Sequence, residues 1–298
     1  MKSPLAAFIT IAYTLSLALS LVVGLTGGAQ SPLAFGFGVA SMLVPAVATL
    51  VVVAMGAAAP SLGGSRPPLR YVPLALLLMP IVMHAVMLPV AAYLWGGLPW
   101  AHWLTPEADG LYHTPAARNW GVLSPGGLVA RMAMNMAVGV AANSTLAAFE
   151  EIGWRGWMLP RLMERLSVRR AVALSALIWA FWHTPFALSG IHHLPGIPAI
   201  GVALTLPILI IGAGLVIGWL WVRTRSLWIV ALAHGSLNNW GQYAFKLMEQ
   251  GGPGGKPRDL IILAAGGLAV LAVGSLLVAR GLSPARQHDG AASPTTGR

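Results

Sequence analysis

The chain has 298 residues, of which 57% are hydrophobic and only 9% are charged. Soluble domains carry roughly 25% charged residues, so this composition indicates a polytopic membrane protein and excludes a soluble domain. The net charge of +10 does not indicate nucleic-acid binding, because the basic residues lie in short loops between apolar runs. That pattern is typical of orientation in an anionic lipid bilayer. The absence of cysteine excludes disulfides, thiolate catalysis and cysteine-type zinc sites.

Eight apolar runs are long enough, at about 20 residues each, to cross a bilayer. We therefore expect an all-α fold with about eight transmembrane helices around a polar intramembrane cavity. The runs are 4–26, 33–58, 72–95, 127–158, 171–189, 197–221, 227–247 and 260–279. The first is longer than the apolar part of a signal peptide, so we interpret it as a retained anchor. Residues 1–282 are expected to form one transmembrane domain, followed by a disordered polar tail over 283–298.

The basic residues predict the orientation of these helices. With eight spans, 13 Lys and Arg residues fall on one side of the membrane and four on the other, while Arg131 lies in or near a span. Because basic loops stay in the cytoplasm, both termini are predicted to be cytoplasmic. Arg outnumbers Lys by 15 to 3, which is typical of a GC-rich prokaryotic genome and favours a prokaryotic cell membrane.

Two adjacent acidic residues, Glu150 and Glu151, end the fourth apolar run. Ionisable residues at lipid depth are costly and usually functional. Glu151 and Arg155 are four residues apart, so they share a helix face with the acid in the favourable N-terminal position. Glu150 lies about 100° around the helix from Glu151 and faces another partner. The alternative is that both glutamates pair with the Arg-rich loop at the membrane edge.

Polar residues also interrupt the fifth and seventh runs. His183 follows Trp179 by one turn, and Trp179 is placed to wall a pocket. His234 and Asn238 share a face of the seventh run, where Gly235 lets another helix approach closely. Each of these residues in isolation is equally explained by hydrogen bonding between helices.

Their common depth favours a joint site. At about 1.5 Å per residue, Glu150, His183 and His234 all lie ~12–18 Å from the cytoplasmic side. A carboxylate beside a histidine activates water, and a histidine with an asparagine stabilises an oxyanion. The same glutamate and histidines also suit a zinc ion, although the sequence has no HExxH motif.

Three motifs together resemble a known family of membrane peptidases. They are EEIGWRG, WAFWH and HGSLN, which contain the glutamate pair, His183, and the His234–Asn238 pair. Their order, spacing and membrane setting are similar to those of the CAAX-protease and bacteriocin-processing (Abi) family of intramembrane endopeptidases. The common form of the second motif has Phe where this chain has Trp179. The resemblance covers about residues 127–245.

The resemblance implies an eight-helix protease that cleaves a membrane-associated protein or peptide at a water-filled cavity open to the cytosol. Glu150 would activate the water and His183 would share it, while His234 and Asn238 would stabilise the oxyanion. Glu151 and Arg155 would hold the first motif in place. Metal dependence is disputed for the family. The sequence requires no cofactor, but a divalent metal such as zinc, bound by Glu150, His183 and His234, stays an alternative.

Two other functions use the same polar cluster. One is a transporter with a proton or ion site, which predicts paired broken helices in two halves of the chain; the sequence shows no such pairing. The other is a non-catalytic immunity or scaffold protein, against which the complete motif set argues. The predicted partners are the lipid bilayer and the peptide substrate, with no nucleic acid.

Overall fold

The computed structural model describes residues 3–64, 68–97, 105–113, 121–192, 194, 196–250 and 257–282. In this part of the chain the fold is all-α, as predicted. The helices in chain order are α1 (Pro4–Leu25), α2 (Ala34–Ala54), α3 (Val72–Trp95), α4 (Pro125–Glu151), α5 (Leu159–Met163), α6 (Val168–Trp182), α7 (Thr184–Leu188), α8 (Ala199–Thr224), α9 (Leu227–Gln250) and α10 (Pro257–Gly281).

The eight predicted runs correspond to eight long helical segments. Seven of them, within the described residues, are long and apolar enough to cross a membrane. The eighth is α9, whose hydropathy is reduced by polar residues such as His234, Asn238 and Asn239. The polytopic membrane class is therefore confirmed, and the least apolar helix is one of those that carry the motifs.

The fourth segment is one rod of 39 residues from Pro125 to Met163. Ser124 caps its start by accepting a hydrogen bond from the Gly127 amide. Between α4 and α5 the rod passes through a π-helical segment, Ile152–Met158. A Cβ on Gly153 would lie 2.7 Å from the Pro45 carbonyl oxygen, so the absence of a side chain lets α2 cross here. Such π segments are rare and frequently occur at functional sites.

The fifth predicted run is two helices, because the chain breaks at His183 between α6 and α7. Pro185 has no amide hydrogen and its ring crowds the carbonyl four residues earlier, which favours the end of α6 before it. The His183 amide instead donates to the Ala180 carbonyl in a tightened last turn. The break places the His183 side chain at the C-terminal end of α6.

The helices pack around one shared core. Helix α8 packs against α10 and α6, and α9 packs against α4 and α3. Helix α1 lies against α2, which in turn contacts α4. Because α6 and α9 face the end of α4 from different directions, all three motifs meet inside the bundle.

The predicted outer loop between α3 and α4 contains a small antiparallel sheet of three two-residue strands. They are β1 (Thr105–Pro106), β2 (Tyr112–His113) and β3 (Val122–Leu123). Thr105 pairs with His113, and His113 pairs with Val122. The predicted disordered tail, 283–298, lies outside the described residues.

Candidate active site

Glu151 is the centre of a buried ionic cluster. Its Oε1 accepts a hydrogen bond from the Arg155 guanidinium at 2.8 Å and another from His234 Nδ1 at 2.8 Å. Glu151 and Arg155 are fully buried, and His234 is 2% exposed. The pair expected from the i, i+4 spacing is therefore present. The same carboxylate oxygen also fixes α9 to the end of α4.

Glu150 points to a different neighbour, as its helical position predicted. Its Oε2 accepts a hydrogen bond from Trp179 Nε1 at 3.0 Å. Its Oε1 forms no hydrogen bond to any described residue. Glu150 keeps 3% of its surface exposed, whereas Glu151 keeps none. Glu151 Oε2 also lacks a partner among the described residues but is fully buried. Glu150 is therefore the carboxylate that combines an unengaged oxygen with residual access.

The indole of Trp179 contacts each of the other motifs. The Arg155 guanidinium carbon lies over the ring at 4.5 Å from its centroid. The rings of His183 and His234 meet the indole edge-on, with centroids 5.3 and 5.0 Å away. With the bond to Glu150, this one side chain joins α4, α6 and α9. The sequence predicted Trp179 only as a pocket wall.

His183 is held by its own helix. Its Nδ1 lies 2.8 Å from the Trp179 carbonyl oxygen, which is only an acceptor, so Nδ1 carries the proton and Nε2 presents a lone pair. The side chain is half-buried. His183 therefore combines a fixed tautomer with an accessible acceptor nitrogen. His234 differs, because its Nδ1 is engaged by a carboxylate and its side chain is almost fully buried.

Helices α4 and α9 approach each other most closely just beside His234. A Cβ on Gly235 would lie 2.3 Å from the Ser144 backbone nitrogen, so only glycine fits at this crossing. The Ser236 hydroxyl donates to the Leu76 carbonyl of α3 at 2.6 Å. The close approach predicted from Gly235 is therefore present, and Ser236 beside it fixes α9 to a different helix.

Asn238 lies one helical turn beyond His234 and is half-buried. Its side chain forms no hydrogen bond within the described part of the chain, so its amide is available to a ligand. The neighbouring Asn239 was not predicted to matter. It is 5% exposed and packs at the α4 crossing, where a Cβ on Gly139 would lie 2.2 Å from its Oδ1. The sequence contained a signal for Asn239, because two consecutive asparagines, Asn238 and Asn239, are unusual at lipid depth.

A metal centre requires three or more ligands that converge on one point. No group of three His, Cys, Asp or Glu side chains with that arrangement is found among the described residues. In both motif histidines Nδ1 is engaged, by a carbonyl at His183 and by Glu151 at His234, so Nε2 is the nitrogen that a metal would bind. The alternative ligand set of Glu150, His183 and His234 is not gathered into a three-ligand group among the described residues.

The fold and this cluster together define a class: a polytopic membrane protein with carboxylates, imidazoles and a tryptophan gathered inside its helix bundle. Residues 133–240 match the family described as Type II CAAX prenyl endopeptidase Rce1-like. The chain is also 31% identical over 98 residues to CAAX prenyl protease 2 of Methanococcus maripaludis. Both matches confirm, over this region, the predicted resemblance to the CAAX-protease and bacteriocin-processing family.

The matched region includes all three motifs but not the whole chain. The alignment covers 32% of this chain and 36% of the archaeal protease, so the chain matches about a third of the length of that curated relative. Helices α1 to α3 and α10 lie outside the family match.

Proposed function

We propose that this protein is an intramembrane endopeptidase that hydrolyses a peptide bond of a membrane-associated protein or peptide with an activated water. The observation that supports this most directly is the arrangement around Trp179. It gathers Glu150, His183 and His234 about one indole.

Glu150 is the general base. Its unengaged Oε1 takes a proton from a water molecule, whose oxygen forms a bond to the carbonyl carbon of the substrate. The lone pair on His183 Nε2 accepts the second hydrogen of that water and so orients it. When the tetrahedral intermediate collapses, the C–N bond breaks and Glu150 returns its proton to the leaving amine.

His234 and Asn238 stabilise the negative charge on the carbonyl oxygen. The Asn238 amide is a donor with no competing bond among the described residues. The Nδ1 atom of His234 is engaged by Glu151, so the ring donates from Nε2 in its imidazolium form, and the two carboxylates Glu150 and Glu151 then balance the charges of His234 and Arg155. Donors fixed in advance in a site of low dielectric contribute strongly to such a step. Glu151 and Arg155 act as positioning residues, because the fully buried pair holds His234 without facing substrate.

The site lies within the helix bundle, so the substrate must approach from the membrane or its surface. The archaeal relative is named for CAAX prenyl substrates. A prenylated protein is therefore one candidate substrate, beside an unmodified membrane-anchored peptide.

The decisive experiment compares Glu150→Gln with Glu164→Gln, since Glu164 is an exposed acid in the same chain. Each variant is purified into lipid nanodiscs and incubated with a membrane-anchored CAAX peptide, in prenylated and unprenylated forms. Loss of the base lowers turnover by about 10²–10⁴-fold, whereas Glu164→Gln leaves turnover unchanged.

The purified variants are also compared in thermal unfolding, so that a misfolded Glu150→Gln protein is recognised. Hydrolysis that persists in folded Glu150→Gln overturns the proposed mechanism. Cleavage of the prenylated form alone assigns the substrate class.

A further inference from the structure

Residues 57–64, between α2 and α3, form a strap that is held by backbone contacts at both of its ends. The strap lies outside the region that matches the family. Its side chains are mostly exposed, yet six hydrogen bonds join it to three other segments. Those segments are the π-helical segment, α5 and the turn between α8 and α9.

The first end of the strap is attached to the segment that follows the glutamate pair. The Ala58 carbonyl accepts hydrogen bonds from Trp157 Nε1 at 3.0 Å and from the Arg161 guanidinium at 2.6 Å. The Ser61 amide donates to the Gly156 carbonyl at 2.8 Å. Arg161 also donates to the Trp157 carbonyl at 2.8 Å and stacks over the Trp157 ring at 4.2 Å. One guanidinium therefore clamps the strap to the π-helical segment.

The second end is attached to the start of α9. Gly63 forms an antiparallel bridge with Ser226. On either side of it, the Leu227 amide donates to the Leu62 carbonyl at 3.3 Å and the Gly64 amide donates to the Arg225 carbonyl at 3.2 Å. Leu227 is seven residues before His234, which is about 10 Å along the helix.

The strap therefore joins the same two elements that meet at the active site. Inside the bundle, Glu151 of α4 binds His234 of α9. At the end of the bundle, the strap binds the continuation of α4 and the first turn of α9. The attachment at the start of α9 lies on the other side of His234 from the close crossing at Gly235. With contacts on both sides of His234, the translation and the tilt of α9 relative to the glutamates are both opposed.

We propose that the strap positions the catalytic groups, with Gly63 and Arg161 as its positioning residues. This inference rests on the proposed peptidase function for its kinetic consequence. Gly63 has a φ of +85°, and a Cβ there would lie 1.8 Å from the Arg225 carbonyl oxygen, so no other residue keeps the bridge. Gly64, its neighbour, has nothing within 4 Å of an added Cβ. The two glycines form a matched pair for a test.

The kinetic test has two parts. The first compares Gly63→Ala with its control Gly64→Ala. The second compares Arg161→Met with the conservative variant Arg161→Lys and with the control Arg165→Met. Arg165 is an exposed residue one turn further along. Small displacements of catalytic groups cost up to about 100-fold in rate. We expect kcat to fall about 10- to 100-fold in Gly63→Ala and Arg161→Met with KM changed less than about threefold. Arg161→Lys keeps the positive charge but has one donating nitrogen in place of the two that Arg161 uses, so it recovers part of the rate. The two controls match the wild type.

Hydrogen exchange of the backbone amides provides a measurement that does not depend on catalysis. In Gly63→Ala, we expect the amides of residues 57–64 to exchange faster, and also those of residues 152–158 and 227–234. In Gly64→Ala, we expect exchange at the wild-type rate in all three ranges. Faster exchange confined to 57–64, or kinetics that equal those of the Gly64→Ala control, overturns the inference. A wild-type protein without peptidase activity refutes the proposed function alone, and the exchange result still decides the structural role of the strap.

Discussion

At the residue scale, the unusual feature is a fully buried arginine with few partners. Arg155 has one ion pair, to Glu151, and one aromatic contact, to Trp179. Its Nε and second terminal nitrogen have no hydrogen-bond partner among the described residues. A charge buried in this way depends strongly on its counter-ion, because the loss of one partner leaves the other uncompensated.

A double-mutant cycle tests this dependence. We expect Glu151→Gln to lower the free energy of unfolding by about 3–5 kcal/mol, because the guanidinium loses its carboxylate. Adding Arg155→Met recovers a large part of that loss, since the uncompensated charge is then gone. Unfolding of the purified proteins in detergent measures both values, and the exposed Glu164→Gln variant should stay within about 0.5 kcal/mol of wild type. Additive effects of the two substitutions would contradict this account.

Helical spacing was sufficient to predict several of these contacts, but only those within one helix. The Glu151–Arg155 pair follows from a separation of four residues, and the divergence of Glu150 follows from about 100° per residue. Spacing does not specify which glutamate meets which histidine. His234 binds Glu151 rather than Glu150, a result that depends on how α9 is rotated against α4.

At the scale of elements, the crossing of α4 and α9 depends on one missing side chain. Gly235 lies against the Ser144 backbone, which cannot move aside as a flexible side chain would. Any Cβ at position 235 must therefore separate the two helices and draw His234 away from Glu151.

Two glycines of α9 permit a controlled test of this crossing. We expect Gly235→Ala to destabilise the protein by about 1–3 kcal/mol through overpacking and to abolish peptide hydrolysis. Gly241→Ala should be neutral or slightly stabilising, because nothing lies within 4 Å of an added Cβ and Ala favours helix. Thermal unfolding and turnover of the two variants are measured side by side. If the two variants have the same stability and the same turnover, the α4–α9 crossing does not determine the geometry of the active site.

The length of the apolar runs predicted where the helices lie in the chain, but it did not predict where a helix changes its geometry or breaks. The π-helical segment after Glu151 and the break at His183 lie inside runs that read as continuous helices. Pro185 was a signal for the break, although prolines within membrane helices are often accommodated without one. The π-helical segment depends on the contacts of Gly153 and Gly156 with α2 and the strap, which local sequence does not reveal.

At the scale of the whole molecule, the distribution of basic residues predicts which side of the membrane each loop occupies. The strap, together with Arg161, Arg165 and Arg225, belongs to the basic side. The small sheet β1–β3 is predicted on the opposite side. The absence of native cysteine makes this arrangement directly measurable.

Single cysteines are introduced at Ala59 and at His113, both of which are exposed. In intact cells, we expect a membrane-impermeant maleimide to label His113→Cys at once and Ala59→Cys only after permeabilisation, because basic loops stay in the cytoplasm. The cysteine-free wild type gives the background. The reverse labelling pattern would contradict the predicted orientation and place the strap outside the cell.

The packing of Phe8 sets a limit on how far this protein could be shortened. Its ring lies 5.4 Å from that of Trp154 and 5.0 Å from that of Trp157, and all three side chains are fully buried. The two tryptophans belong to the family-matched stretch, but their cover comes from the extreme amino-terminal helix. A fragment trimmed to the shared stretch would leave these indoles uncovered beside the glutamates. Helix α1, although it lies outside the family match, is thus part of the smallest fragment that keeps this packing.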